Sequence, residues 1–200
     1  MSNYKFLFDL DSTLTKEEIL PTISGAIGRR EEMQDLTERT MLGDIPFEQS
    51  FQSRVGILKD IPVSQVREMI AGIPLLEELG VFLRENRERC FVVTSNLDVW
   101  IIDLMKRMGM ENNFYSSRAI VEDDKIARIE YILSKSDTVK SFGGGTIAVG
   151  DGNNDAEMIK LATIGIGFGG VRPIAPSVLA VSDFAVYNES KLVELLRSFL

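Results

Sequence analysis

Phe6-Leu7-Phe8-Asp9-Leu10-Asp11 joins a short apolar run to two acidic residues near the start of the chain. The run is brief and ends at Asp9, which is typical of a buried strand rather than of a helix. Residues two positions apart in an extended chain point the same way, so Asp9 and Asp11 can present both carboxylates to one site. In open α/β sheets, ligands bind at the carboxyl ends of the strands, and this acid pair is therefore a candidate site.

Further apolar runs at residues 90–93, 146–149 and 164–166 repeat the pattern. Each is followed by a polar or glycine-rich turn and then by helical periodicity. Alternation of strands and helices predicts a parallel sheet that is covered by helices on both faces. We therefore expect an α/β fold with a three-layer, Rossmann-like core. Two short apolar pieces, at residues 119–121 and 126–129, flank an acidic turn and predict a hairpin.

Residues 16–72 have helical periodicity and no strand signal. Gly43 is placed to close one helix, and Pro46 is placed to begin the next. Apolar residues then recur at helical spacing. We expect a helical cap at residues 16–72, inserted into a discontinuous catalytic core at residues 1–15 and 73–200.

Composition excludes several classes of function. The chain has 200 residues and a net charge of −8, which disfavours binding to nucleic acid or to anionic membranes. It has no histidine, so imidazole-dependent triads and bases are excluded, and carboxylates and lysine remain for acid–base chemistry. The apolar run before Asp9 is too short for a signal peptide or a membrane span, and we expect a cytoplasmic protein.

Gly150-Asp151-Gly152-Asn153-Asn154-Asp155 follows another apolar strand. Its glycines allow a tight turn that can set Asp151 and Asp155 beside Asp9 and Asp11. Four converging carboxylates repel one another, and a divalent cation is the natural neutraliser. Mg²⁺ suits such an all-oxygen site. A calcium site or a structural Asx turn is the alternative for this loop.

Two other features are suited to binding a phosphoryl group. Lys135 can supply positive charge, although a lysine in isolation is more often solvated. Thr94-Ser95-Asn96, after the second core strand, offers a hydroxyl and backbone N–H groups near a helix start, as a phosphate cradle or an ordinary N-cap.

These segments together resemble the haloacid dehalogenase superfamily. Its motifs match, in order and spacing, residues 8–15, 92–94, Lys135 and 149–155. Within the superfamily, the chain is similar to the phosphoserine phosphatases over nearly its full length. The resemblance implies a Mg²⁺-dependent phosphomonoesterase that hydrolyses O-phosphoserine through an aspartyl-phosphate, in serine biosynthesis. The expected partner is a small phosphorylated metabolite, and the expected assembly is a monomer or a homodimer.

The resemblance also implies roles for the acidic residues and the lysine. Asp9 is the expected nucleophile, and Asp11 is the expected general acid and then base. The Asp9 carboxylate, the Asp11 backbone carbonyl and Asp151 are the expected Mg²⁺ ligands, with Asp155 in support. Lys135 is expected to offset charge on the phosphoryl oxygens.

Substrate-binding positions follow from the same resemblance. Thr94, Ser95 and Asn154 match phosphate- and substrate-contacting positions, and Met41 and Phe47 match apolar positions that close over the substrate. Glu18 and Arg54 match the acid and base that recognise the amine and carboxylate of phosphoserine.

Each of these cap residues has a structural alternative. Met41 and Phe47 suit a core equally well, and Arg54 suits a solvated helix face. Thr15 and Glu18 fit a capping box, which would begin a helix at this point. Pro21 is expected to break that helix.

One departure leaves the substrate open. The phosphoserine phosphatases usually have Ser-Gly-Gly where this chain has Thr94-Ser95-Asn96. Ethanolamine phosphate, or another small amino-alcohol phosphate, is therefore the alternative substrate. A phosphotransferase and a non-catalytic binding module are the alternative functions.

Overall fold

The computed structural model describes residues 4–200, apart from the side chains of Met41 and Leu42. Its strands are β1 (Lys5–Phe8), β2 (Cys90–Leu97), β3 (Phe114–Glu122), β4 (Lys125–Tyr131), β5 (Thr146–Gly150), β6 (Ile164–Phe168) and β7 (Phe184–Val186). They form one seven-stranded sheet in the order β4-β3-β2-β1-β5-β6-β7. Neighbouring strands are parallel except for the β3–β4 hairpin, which is antiparallel. The predicted α/β fold and hairpin are confirmed.

The helices are α1 (Ile19–Gly25), α2 (Arg30–Leu42), α3 (Phe47–Leu58), α4 (Val63–Ala71), α5 (Glu77–Glu85), α6 (Asp98–Met108), α7 (Lys135–Ser141), α8 (Ala156–Leu161), α9 (Pro176–Leu179) and α10 (Glu189–Arg197). Helices α1 to α4 occupy the segment between β1 and α5 in which helical periodicity was seen. Gly43 closes α2 in the left-handed conformation, with φ +84°, as its position predicts. Pro46 lies one residue before α3 instead of within it.

The hydrophobic core runs continuously from the sheet into these helices. Phe6 and Phe8 on β1 belong to the same buried cluster as Phe51 and Leu58 on α3. Phe82 on α5 packs edge-on against Phe6, with 5.4 Å between ring centroids. Burial of large side chains on the central strand holds β1, and hence the acid pair after it, at the middle of the molecule. The division into core and cap at residues 16–72 stays a prediction.

None of the helices in the described part of the chain combines the length and the apolar character that a bilayer span requires.

Candidate active site

The site forms where β1 and β5 end. These two strands pair in parallel, with Phe8 opposite Val149, so their carboxyl ends meet at the same edge of the sheet. The Asp9 backbone N–H donates to the Val149 carbonyl at 2.9 Å. Asp9 and Asp151, which follow the two strands, are therefore neighbours, as the sequence predicted.

Three carboxylates converge at this edge. Asp9, Asp151 and Asp155 each place an oxygen within 4.8 Å of the others, and all three side chains are buried. Burial raises the pKa of Asp9 to about 7, and the nearby Asp155 charge adds to this increase. Burial also raises the pKa of Asp151 well above its usual value. A buried cluster of carboxylate oxygens fits a hard divalent cation, which would neutralise their repulsion.

Gly150 allows the loop after β5 to fold back on itself. A Cβ atom at this position would lie 2.6 Å from the carboxylate carbon of Asp155, so only glycine fits here. Asp155 Oδ2 accepts hydrogen bonds from the backbone N–H groups of Asp151, at 3.1 Å, and Gly152, at 2.9 Å. These bonds fix Asp155 beneath the other two carboxylates.

Lys135, at the start of α7, supplies positive charge to this cluster. Its ammonium lies 2.5 Å from Asp9 Oδ1 and 2.6 Å from Asp155 Oδ1. Burial lowers the pKa of Lys135, but attraction to Asp155 and Asp9 outweighs burial, and the pKa lies above its usual value. The side chain is only 3% exposed, so the alternative of a solvated lysine is wrong.

The carboxylate of Asp11 is not part of the three-acid cluster and is held by two hydrogen bonds of its own. Its Oδ1 accepts a hydrogen bond from the Ile19 backbone N–H at 2.8 Å, at the start of α1. Its Oδ2 accepts one from the Asn96 side-chain amide at 2.5 Å. Burial raises the pKa of Asp11, and the bond from Ile19 and the charge of Arg172 oppose the increase. The side chain is thus placed between the sheet and the first helix after it.

Thr94, Ser95 and Asn96 lie inside β2, which continues to Leu97, and not in a turn after a shorter strand. The pairing of β2 with β3 is irregular between Val93 and Leu97. Helix α6 begins at the next residue without a side-chain cap, so the alternative of an N-cap at Thr94 is wrong.

A cavity of about 290 Å³ opens above these groups. Predicted site residues from the sheet and from the helical segment line it together: Asp9, Asp11, Glu18, Phe47, Arg54, Thr94, Ser95 and Asn154. The side chain of Met41 lies outside the described part of the chain. The cavity is large enough for a small phosphorylated metabolite.

Arg54, on α3, is a cation held at the wall of this cavity. Its guanidinium carbon lies 5.8 Å from the centroid of the Phe47 ring, and its Nε is buried without a hydrogen-bond partner. Burial lowers the pKa of Arg54, and attraction to Asp11 opposes the decrease. A buried donor that lacks an acceptor is suited to an anionic group of a ligand.

Glu18 is the residue before α1, and its side chain makes no capping hydrogen bond to that helix. The capping box does not form, because α1 begins at Ile19 and the Thr15 hydroxyl oxygen accepts its hydrogen bond from the Ser12 backbone N–H at 3.0 Å. No helix begins at Thr15, which agrees with the expectation for Pro21, and α1 begins at Ile19 instead. Pro21 lies in the first turn of α1, where its missing N–H has no partner to lose.

The Glu18 carboxylate instead forms an ion pair with Arg172, a residue for which the sequence predicted no role. Arg172 also donates from Nε to Asp151 and lines the cavity. Its position shortly after β6, a neighbour of β5, is the only signal in the sequence that could have pointed to it.

Comparison with known proteins gives a consistent result. Residues 6–163 match the family model of haloacid dehalogenase-like hydrolases. The phosphoserine phosphatase of Methanocaldococcus jannaschii is 33% identical over 178 residues, which cover 81% of this chain and 83% of that protein. The phosphoserine phosphatase of Streptococcus thermophilus is 30% identical over 187 residues, which cover 84% of this chain and 86% of that protein.

Solved structures agree in fold over the whole chain. A phospho-aspartyl intermediate analogue of phosphoserine phosphatase superimposes with a TM-score of 0.83 at 28% identity, covering 99% of each chain. A substrate-bound phosphoserine phosphatase complex gives a TM-score of 0.82 at 27% identity, also covering 99% of each chain.

Proposed function

The chain belongs to the haloacid dehalogenase-like hydrolases and is a phosphomonoester hydrolase, and we propose that it hydrolyses O-phosphoserine through an aspartyl-phosphate on Asp9. One observation above all supports this proposal. The Asp9 carboxylate, paired with Lys135, faces a small cavity that is also lined by an acid, Glu18, and a base, Arg54.

Mg²⁺ is the proposed cofactor, with Asp9, Asp151 and Asp155 as the side chains that would hold it and the Asp11 backbone carbonyl as a further ligand. When bound, the ion would withdraw negative charge from the phosphoryl oxygens. The fit rests on the donor set, since all three side chains offer oxygen and, in the described part of the chain, only two cationic side chains, Lys135 and Arg172, pair with the three carboxylates.

In the first proposed step, an Asp9 oxygen attacks phosphorus while the bond from phosphorus to the substrate oxygen breaks. Asp11 donates a proton to the leaving oxygen, so that serine leaves as an alcohol. The raised pKa of Asp11 favours the protonated form that this step needs. Lys135, which contacts Asp9 Oδ1, holds the nucleophile in place and stabilises the charge that develops beside it.

In the second step, Asp11, now ionised, accepts a proton from an incoming water. The water oxygen bonds to phosphorus, and the bond from phosphorus to Asp9 breaks. Inorganic phosphate leaves, and both aspartates return to their starting protonation states. The chain's carboxylates and lysine are sufficient for each proton transfer, which agrees with a sequence that has no histidine.

The choice of phosphoserine as the proposed substrate rests on the charges that line the cavity. Phosphoserine has an ammonium and a carboxylate in addition to its phosphate, and Glu18 and Arg54 offer one opposite charge to each. Thr94, Ser95 and Asn154 are the proposed contacts to the phosphate and the rest of the substrate. We place this reaction in serine biosynthesis in the cytoplasm, with residues 16–72 as a cap that closes over the substrate.

The proposal is tested by measuring release of both phosphate and serine from O-phosphoserine, with Mg²⁺ and with a chelator. Asp9→Asn is the matched control, since it keeps the shape of the nucleophile and removes its charge. We expect Mg²⁺-dependent turnover that the D9N variant lacks. Faster turnover of ethanolamine phosphate would overturn the choice of substrate. A product that appears only with an alcohol acceptor would indicate a phosphotransferase.

A further inference from the structure

The loop after β6 is held in a fixed position beside the acidic cluster. A Cβ atom at Gly169 would lie 2.6 Å from the Tyr187 ring, so this part of the loop packs directly against that side chain. The Ala175 backbone N–H donates to the Asp151 carbonyl at 2.8 Å. Arg172, between these two anchors, therefore has its backbone fixed relative to Asp151.

The Arg172 side chain joins two acids that are distant in sequence. Its Nε donates to Asp151 Oδ2, and its Nη1 contacts Glu18 Oε1. The side chains of Arg172 and Glu18 are both mostly buried, at 22% and 23% exposed, which makes the pair stronger than one at the surface. The pair links the helical segment to the loop between β6 and α9.

Arg172 supplies the positive charge that Glu18 needs at this position. The Asp11 carboxylate contacts the backbone of Ile19, the residue next to Glu18, and Asp151 lies on the other side of Arg172. Without the guanidinium, Glu18 would lose the cation that pairs with it and separates it from Asp151, and it would no longer be held in the cavity. A carboxylate accepts several hydrogen bonds, so Glu18 can bind Arg172 and a substrate ammonium together.

The same pair lies between two cavities. Glu18, Pro21, Thr37 and Arg172 line both the substrate cavity and a second cavity of about 620 Å³. Arg30 and Glu38, by contrast, line only the second one. A Glu18 side chain that lost its partner could turn into the second cavity, where it could not reach the substrate.

We propose that Arg172 is a positioning residue that holds Glu18 in the substrate cavity and so determines selectivity for phosphomonoesters that have an ammonium group. The inference rests on the proposed function. It assigns to Arg172 no contact with the substrate and no part in the phosphoryl transfer.

The test compares kcat/KM for O-phosphoserine with kcat/KM for 3-hydroxypropionate phosphate, which is phosphoserine without its ammonium. The ratio of the two values measures ammonium selectivity. Arg172 also contacts Asp151, so its substitution can weaken metal binding or slow phosphoryl transfer. Such a loss affects both substrates equally and cancels in the ratio. We expect Arg172→Gln to lower the ratio about tenfold, equivalent to ~1.4 kcal/mol. Arg172→Lys, which keeps the charge, should restore most of it.

Two further variants show whether Arg172 acts through Glu18. In the double variant E18Q/R172Q, the ratio should equal that of E18Q alone, because no carboxylate remains to be positioned. Arg30→Gln, in the second cavity only, should keep the wild-type ratio. Calorimetric binding of both compounds to the D9N variant, with and without R172Q, should give the same change in selectivity without turnover.

An unchanged ratio in R172Q would overturn the proposal. So would an increased ratio, which would mean that Arg172 competes with the substrate ammonium for Glu18. A loss that is equal for phosphoserine and 3-hydroxypropionate phosphate but absent for ethanolamine phosphate would make Arg172 a carboxylate-binding residue instead. Absence of phosphoserine turnover in the wild type would remove the proposed function, and a wild-type ratio near one would remove the proposed role of Glu18 and this inference together. A high wild-type ratio with no response to R172Q removes the inference alone.

Discussion

Asp124, in the turn of the β3–β4 hairpin, accepts hydrogen bonds from the backbone N–H of Ser64 at 3.0 Å and from its hydroxyl at 2.5 Å. Its backbone carbonyl also accepts from the Val63 N–H at 2.7 Å. A residue distant in sequence thus satisfies donors at the start of α4 that the helix itself cannot satisfy. Arg67 on α4 adds a bond to Asp103 on α6 at 2.7 Å, and the two contacts fix α4 to the β3–β4 hairpin and to α6.

We predict that α4 stays fixed when the proposed cap opens, although it lies within residues 16–72. Amide hydrogen exchange should slow in α1 to α3 on addition of Mg²⁺ and a phosphate mimic, because closure protects their backbone from water. Exchange in α4 should be slow in both states. Equal slowing across the whole of 16–72 would mean that α4 moves with the other helices.

Asp124→Gly is the variant that tests the anchor, because Asp124 has φ +59°, which glycine adopts without strain. Loss of the Asp124 carboxylate, which accepts hydrogen bonds at the N-terminus of α4, should destabilise the protein by about 1 kcal/mol and increase amide exchange in the first turn of α4. Asp123, with φ +48° in the same turn, offers a matched control in Asp123→Gly.

Lys135→Met should lower kcat on phosphoserine by about 10²- to 10³-fold, the range found when one charge-stabilising donor is removed from an active site. The variant removes the ammonium that contacts both Asp9 and Asp155. Lys140→Met is the control, since Lys140 lies on the same helix and its side chain is 58% exposed. Steady-state kinetics in saturating Mg²⁺ gives the comparison. Similar kcat values for the two variants would exclude a role of Lys135 in the reaction.

The acidic site could be predicted from the sequence because each part follows an apolar strand, and parallel strands bring their carboxyl ends together. The pairing of Arg172 with Glu18 could not be predicted, since it depends on how a helix packs against a loop from another part of the sheet. The contact of Asp124 with the start of α4 could not be predicted for the same reason, since it joins residues that are distant in sequence. Pro21 argued correctly against a helix that begins at Thr15, but the start of α1 at Ile19 was not predicted.

The stability of the metal-free protein should depend on pH through Asp9. Its pKa in the folded protein is about 7, above the usual 3.8, chiefly because of burial. A raised carboxyl pKa contributes stability that is fully present below pH ~4 and is lost as the pH rises through ~7. The difference in unfolding free energy between wild type and D9N, measured in chelator, should therefore shift against wild type over this range. A constant difference would mean that Asp9 titrates normally.

Stabilisation of the protein by Mg²⁺ should increase as the pH rises, because the ion binds the ionised carboxylates. At an Mg²⁺ concentration about 100-fold above its dissociation constant, the stabilisation is ~2.7 kcal/mol, which corresponds to a rise in Tm of roughly 5–10 °C for a chain of this size. The rise should be larger at pH 8 than at pH 5. Asp151→Asn should reduce it strongly, since Asp151 is one of the three converging carboxylates. An equal rise in that variant would place the ion elsewhere.

Arg54→Ala separates a phosphoserine phosphatase from a phosphatase of amino-alcohol phosphates in general. Arg54 is largely buried and its Nε lacks a hydrogen-bond partner, so a substrate carboxylate bound there would be removed from water. Loss of the guanidinium would leave that carboxylate unpaired, with a loss of roughly 2–5 kcal/mol, as for other truncated buried charge pairs. The value of kcat/KM for phosphoserine should therefore fall about 10²-fold or more.

Ethanolamine phosphate is the control substrate, because it has the phosphate and the ammonium but no carboxylate. Its kcat/KM should stay within a few-fold of the wild-type value in R54A, since Glu18, the proposed partner of the ammonium, is paired with Arg172. Equal losses on both substrates would mean that Arg54 supports the structure of α3 through its contact with the Phe47 ring and does not bind the substrate. A selective loss on phosphoserine, together with the ammonium selectivity set by Glu18, would assign each charge of the substrate to its own residue.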